Sequence, residues 1–168
     1  MLITTDLRNQ KGVGMMEVLV SIMILSVAIL GFVALQVRAT VATEEAIKRS
    51  DSLIILNGLA EKMRLNPTNA YKNTIPTSEP ACVASQDCDA TNQALADLYQ
   101  YSQLSATKNI ALGIIDCPNT SSNQTRLCIV AGWNDTQPVL AASGSTGGCL
   151  SSNGRYVDDS DCLVLEAY

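Results

Sequence analysis

The chain has 168 residues, a formal charge of −5 and no histidine. Its lysines and arginines are scattered, which argues against a nucleic acid as the partner. Without histidine, the commonest general base and the commonest zinc ligand are missing. The sequence also has no Cys-x-x-Cys pair and no phosphate-binding glycine loop. We therefore predict that the chain is not an enzyme and that it holds no cofactor and no metal.

An uncharged apolar segment runs from Val18 to Val37. As a helix, it is long enough to cross the hydrocarbon core of a bilayer, which is roughly 30 Å thick. Arg8 and Lys11 precede it, which predicts that the amino end lies in the cytoplasm and the rest of the chain outside. Glu17 stands at the start of the segment, and a carboxylate is costly to bury there, so Glu17 is a functional candidate.

The predicted helix continues beyond the apolar segment. Asn66 and Pro67 stop it, because a residue before proline disfavours the α conformation. A helix from Val13 to about Leu65 is expected, with its second half packed on a sheet. The residues that recur at helical spacing and form the predicted buried face are Ala42, Ala46, Leu53, Leu56, Ala60 and Met63.

The remaining residues, 66–168, predict one small head domain of the α+β class. A loop from Pro67 to about Asp89 precedes a helix over residues 89–104, capped by Asp89 or Thr91. Gly/Ser-rich turns are expected at residues 143–148 and 151–154. The predicted strands of a small antiparallel sheet are residues 110–117, 126–133, 138–142 and 162–167.

Six cysteines all follow the apolar segment. An even number on one side of a membrane indicates disulfides in an oxidising compartment. Six cysteines allow 15 pairings, and the sequence alone does not choose among them. Proximity suggests the pairs Cys82–Cys88, Cys117–Cys128 and Cys149–Cys162.

Three further groups of side chains invite a functional reading. Asp158, Asp159 and Asp161, with Glu166 nearby, form an acidic stretch that could hold calcium, although a solvated turn explains it better because no Asp-x-Asp-x-Asp-Gly loop is present. We interpret Trp133 as a half-buried residue that closes the core rather than as a contact surface. Asp97 and Tyr101 share one face of the second helix, where packing is the expected role.

The residues around Gly12 resemble the type III signal of the type IV pilin family. Lys11 precedes Gly12, and Glu17 is the fifth residue after it. The resemblance implies that a prepilin peptidase removes residues 1–12 and that Val13, which stands where the family usually has phenylalanine, is N-methylated. Gly14 offers a second cleavage site, but cleavage there would leave Glu17 only third in the mature chain.

The apolar residues after Glu17 are similar to those of the minor pilin subfamily of type IV pilus modification proteins, PilV. This likeness implies a long helix over residues 13–65, transmembrane over 18–37, and a periplasmic head over 66–168. Before assembly the pilin would cross the inner membrane once, and afterwards it would lie at the pilus tip. The implied role is a priming or tip complex that starts pilus assembly and supports twitching motility and adhesion.

The implied partners are other minor pilins, the major pilin, an adhesin-like tip subunit, the prepilin peptidase and the inner-membrane assembly platform. In the family, the glutamate at the place of Glu17 is thought to pair with the terminal amine of a neighbouring subunit. Three alternatives stay open: a minor pseudopilin of a type II secretion system, a head that binds a surface or ligand itself, and an anchored periplasmic enzyme.

Overall fold

The structure is a computed structural model that describes residues 12, 14–72, 74–120, 126–142 and 145–167. The chain divides into two units, Met1–Glu44 and Glu45–Tyr168. The first helix, α1 (Met15–Leu65), begins in the first unit and ends in the second. Its last residue directly precedes Asn66 and Pro67. Val13, where we expected the helix to begin, lies outside the described residues.

In the first unit, every described residue is exposed. By length and composition this part of α1 qualifies as a membrane span, and its most apolar 18-residue window has a mean hydropathy of 2.9. The hydroxyls of Ser21 and Ser26 each donate to the carbonyl four residues earlier, at 2.7 Å. Such internal hydrogen bonds let a polar side chain lie on a helix surface without a partner from solvent.

In the second unit, one face of α1 lies in the core, and it matches the predicted face only in part. Leu56, Ala60 and Met63 are buried as expected, whereas Ala42 and Ala46 are exposed and Leu53 is 48% exposed. The apolar run from Leu53 to Leu56 allows two helical phases, so periodicity alone could not select the buried one. The residues that α1 buries are Ser52, Ile55, Leu56, Leu59, Ala60 and Met63.

Three further helical segments follow. They are a 3-10 helix at Asn69–Lys72, α2 at Cys82–Ser85 and α3 at Ala90–Thr107. Asp89 caps α3, because its Oδ1 accepts a hydrogen bond from the amide of Asn92 at 2.7 Å. The helix extends three residues beyond its predicted end.

The strands form two small sheets. The first has the order β1 (Ala111–Asp116), β2 (Leu127–Gly132) and β5 (Cys162–Glu166), and both pairings are antiparallel. The second pairs β3 (Gln137–Leu140) with β4 (Gly148–Leu150), and this pairing is parallel, unlike the antiparallel arrangement that we expected. We also missed β4, since its three residues lie between glycine- and serine-rich turns and are too few for a periodic pattern.

All six residues of β2 are buried, so the central strand lies between two apolar layers. On one side, Ile129 and Ala131 pack with α1 and α3 in the main core cluster. On the other side, Val130 packs with Cys149, Leu150 and Cys162. The architecture is therefore α+β, with a long apolar amino-terminal helix and a small disulfide-bonded sheet domain, as predicted.

Candidate functional site

The first turn of α1 carries Glu17. Gly12 and Gly14 precede the helix, and the amide of Glu17 donates to the carbonyl of Gly14 at 2.9 Å. The residue is exposed, and within the described part of the chain its carboxylate has no hydrogen bond or ion pair. A negative charge in the first turn is favoured by the helix dipole. Glu17 is thus an acid without a described partner at the start of an apolar surface.

The apolar surface that follows Glu17, here called the bare surface of α1, is not covered by any described part of the chain. Large side chains such as Leu19, Ile24 and Phe32 are each at least 60% exposed. A patch of this size does not remain in contact with water and marks a membrane or protein interaction. At Gly31, an added Cβ would meet no atom of the described chain within 4 Å. No described part of the chain therefore packs closely against this glycine.

Gly58, by contrast, marks a close contact inside the second unit. A Cβ built on Gly58 would lie 2.6 Å from the hydroxyl oxygen of Tyr101. The absence of a side chain at this position therefore lets α3 approach α1. The expected packing role of Tyr101 is consistent with this contact, because Tyr101 also packs against the main core cluster.

Asp97 is buried more deeply than we expected for a residue with a packing role. Its side chain is 3% exposed and accepts hydrogen bonds from the Tyr71 hydroxyl at 2.9 Å and from Nε2 of Gln93 at 3.1 Å. The ammonium of Lys62 lies 3.8 Å away. These contacts join α1, the 3-10 helix and α3, which makes Asp97 a structural residue. Tyr71 and Lys62 could not be predicted as partners of Asp97, since both are distant from it along the chain.

Trp133 is buried, not half-buried as predicted, because it is only 2% exposed. Its indole N–H donates to Oε2 of Glu45 at 3.0 Å, and Oε1 of the same carboxylate accepts from Nε of Arg49 at 2.8 Å. The hydrogen bond from Arg49, assisted by the one from Trp133, holds the pKa of Glu45 below its ordinary value despite partial burial. Glu45 does not belong to the predicted buried face of the helix.

The three disulfides are Cys82–Cys88, Cys117–Cys128 and Cys149–Cys162. They are the pairs that proximity suggests. The second joins the end of β1 to β2, and the third joins β4 to β5. All six cysteines are paired, so none is available for thiol exchange or metal binding.

Two of the acidic residues near β5 have separate local partners. Oδ2 of Asp161 accepts from Nδ2 of Asn134 at 2.7 Å, and Glu166 pairs with Arg126 at 2.6 Å. In the parts of the chain that the structure describes, no three acidic, cysteine or histidine residues are grouped to hold a metal.

Ser105 and Lys108 have a Ser-x-x-Lys spacing, which in some enzymes belongs to a nucleophile and a nearby lysine. The Ser105 hydroxyl donates to the carbonyl of Ser102 at 2.9 Å, and the residue is buried. The ammonium of Lys108 lies 3.4 Å from Asp51. The two side chains thus have separate partners and do not form a nucleophile–base pair.

Two family models match this chain. The prokaryotic N-terminal methylation motif matches residues 7–33, which include Gly12 and Glu17. The Tt1218-like family, type IV pilin Tt1218, matches residues 34–123, more than half of the chain. The chain belongs to the Tt1218-like family of type IV pilins. No curated protein and no solved structure gives a significant match.

Membership in this family assigns the bare surface of α1 its general role. A type IV pilin is a structural subunit that is anchored in a membrane and assembles with other pilins, and its methylation motif is processed by a prepilin peptidase. The pilin's exposed apolar helix fits a membrane anchor. Both α1 and the disulfide-bonded head fit a structural subunit.

Proposed function

We propose that this pilin is a minor subunit of the type IV pilus that helps to start assembly from a priming or tip complex. A prepilin peptidase cuts between Gly12 and Val13 and N-methylates Val13. The mature pilin then waits in the inner membrane, spanning it with residues 18–37. What carries this proposal is the exposed carboxylate of Glu17, which has no partner among the described residues and stands at the start of an exposed apolar helix.

The carboxylate of Glu17 selects the register in which subunits pack. Cleavage after Gly12 creates an amine on Val13, and the Glu17 carboxylate of one subunit pairs with this amine in its neighbour. A buried carboxylate without a cation costs several kcal/mol. A subunit at the wrong axial position is therefore rejected, whereas one at the correct position has both charges satisfied.

A minor rather than a major role is supported by the helix itself. The apolar residues after Glu17 are similar to those of the PilV subfamily. Major pilins commonly carry a proline in this helix, whereas α1 is uninterrupted from Met15 to Leu65 and contains no proline. Three disulfides suit a head that folds in the periplasm. In this role the pilin lies with other minor pilins beneath an adhesin-like tip subunit and supports twitching motility and adhesion.

The mass of the mature protein tests the processing step. We expect the mass of residues 13–168 with one methyl group and three disulfides. Gly12→Leu should leave the full-length chain, whereas Gly14→Leu should be processed normally. A mature chain that begins at Met15, or one that keeps residues 1–12 in working fibres, would contradict this assignment.

The assembly role is tested by Glu17→Gln. We expect this variant to be cleaved and inserted normally but to fail in restoring pili to cells that lack the wild-type chain. Glu44→Gln is the matched control, because Glu44 is an exposed glutamate farther along the same helix. Normal piliation with Glu17→Gln would overturn the register mechanism. Co-purification of the chain with a secretion pseudopilus instead of pili would assign it to a type II secretion system.

A further inference from the structure

The outer edge of β5 presents backbone groups that pair with no described strand. The amide of Ala167 donates to the carbonyl of Leu127, and the amide of Trp133 donates to the carbonyl of Asp161, both at 2.9 Å. In an antiparallel ladder the bonded residues alternate, so residues 161, 163, 165 and 167 face β2. The N–H and C=O groups of Cys162, Val164 and Glu166 face away, and no described strand pairs with them.

The opposite edge of the same sheet is protected. The 3-10 helix lies beside β1, and its Lys72 forms an ion pair with Asp116 of β1 at 3.4 Å. Native sheets usually guard their edges with such charges, with proline or with a covering segment. β5 has neither proline nor lysine, and the charge of its one acid, Glu166, is matched by Arg126. The free edge of β5 is therefore open to another strand.

Helix α1 has side chains near both ends of β5. Nε of Arg64 donates to the carbonyl of Ala167 at 3.1 Å, and Arg49 lines a cleft together with Leu163. Leu53 lies on the same face of the helix between these two arginines, and it is 48% exposed. Leu163 and Leu165 of β5 are also only partly buried. An added strand with apolar side chains on one face would cover these leucines.

A cleft of about 440 Å³ lies at the amino end of β5. Tyr156, Asp159 and Asp161 line it, and Tyr156 is 52% exposed. Arg49 also lines the cleft, but its Nε donates to Glu45 at 2.8 Å. Among the described residues, Asp159 has no ion pair. The cleft is therefore suited to a basic side chain, which would meet the carboxylates and the ring of Tyr156.

We propose that β5 binds an extended segment of a partner protein as an added antiparallel strand. The segment has apolar residues at alternate positions and a lysine or arginine at its carboxyl end, which enters the cleft beside Asp159. A second copy of this chain fits poorly, because two β5 strands paired around Val164 would place Glu166 of each copy near Asp161 of the other. Strand capture at β5 is independent of how α1 assembles.

The test uses the full chain in detergent and a blocked seven-residue peptide of alternating valine and threonine that ends in lysine. We expect saturable binding, measured by fluorescence anisotropy, and slower hydrogen exchange at the amides of Val164 and Glu166. Val164→Pro removes an outward N–H but leaves the bonds to β2, and it should weaken binding about tenfold or more. Val164→Thr keeps that N–H and should bind like the wild type.

Binding that is equal for Val164→Pro and Val164→Thr would overturn the proposal. So would a peptide ending in glutamate that binds as tightly as the lysine peptide, or self-association of the chain through β5. Native disulfides, counted by mass, show whether Val164→Pro has folded. If it has not, hydrogen exchange on the wild-type chain decides alone, and amides of Val164 and Glu166 that exchange equally fast with and without peptide contradict strand capture.

Discussion

The indole N–H of Trp133 donates a hydrogen bond to Oε2 of Glu45 across 3.0 Å. The two residues are 88 positions apart in the chain. The bond therefore fastens the end of β2 to the first residue of the second unit. Arg49 holds the other oxygen of the same carboxylate at 2.8 Å, so that the charge of Glu45 has two donors.

The pH dependence of stability should reflect Glu45. Because its pKa is lowered in the folded chain, the ionised form stabilises the fold above the ordinary pKa of 4.5, and this contribution is lost as the pH falls through the lowered value. We expect Glu45→Gln to reduce the free energy of unfolding by about 0.5 kcal/mol near pH 7. The difference should shrink below pH 4.5. Denaturant titrations in detergent at both pH values measure it, and a constant difference would contradict the assignment; Glu44→Gln is the control.

Gly58 and Tyr101 should be coupled. Gly58→Ala gains helix propensity of about 1 kcal/mol but pushes its new methyl group against the ring of Tyr101. We expect Gly58→Ala to destabilise the wild-type chain and to stabilise a Tyr101→Ala chain. A double-mutant cycle of unfolding free energies gives the coupling, which we expect to be at least about 1 kcal/mol. Additive effects would show that α3 moves away without cost.

Replacement of Ser52 by alanine should stabilise the fold. It is fully buried, and its Oγ has no hydrogen-bond partner in the described part of the chain. Removal of an unsatisfied buried hydroxyl saves about 1 kcal/mol, and alanine favours the helix. We therefore expect Ser52→Ala to raise the free energy of unfolding by about 1 kcal/mol. Ser105→Ala is the matched control, since the similarly buried Ser105 donates to Ser102 and its replacement should not raise the free energy of unfolding. A lower free energy of unfolding for Ser52→Ala would contradict the prediction and indicate that the Ser52 hydroxyl has a partner.

The disulfide Cys149–Cys162 should stabilise the head. It closes a loop with a sequence separation of 13 and joins β4 to β5. The chain-entropy model gives about 3 kcal/mol for such a loop. We expect the double variant Cys149→Ser, Cys162→Ser to lose this amount in thermal or denaturant unfolding. The pair Cys82–Cys88, with a separation of 6, should cost less when it is removed in the same way, and the reverse order would contradict the loop-length argument.

Much of this architecture follows from short-range patterns. The uncharged run from Val18 and the Asn66-Pro67 stop predict α1, because both act through neighbouring residues. Cysteines close along the chain also form the three disulfides. Asp89 predicts the start of α3, because its side chain can cap the helix.

What could not be predicted depends on contacts between distant residues. The phase of α1 in the core is set by the sheet and α3 rather than by periodicity, so Leu53 was placed inside. The hydrogen bond from Trp133 to Glu45 and the network around Asp97 join segments with no shared pattern. Strand β4 exists because β3 offers it a parallel partner, and three residues with a glycine carry no signal of their own.

β3 crosses the first sheet over two glycines. A side chain at Gly113 would collide with the backbone of Pro138, and one at Gly132 would collide with the carbonyl of Thr136. Any relative with a bulkier residue at either place must route this segment differently. The residues at these two positions in an alignment therefore predict which related pilins share this path of the chain after the central strand. Pilins that differ in this path also differ in the surface that they present to their neighbours.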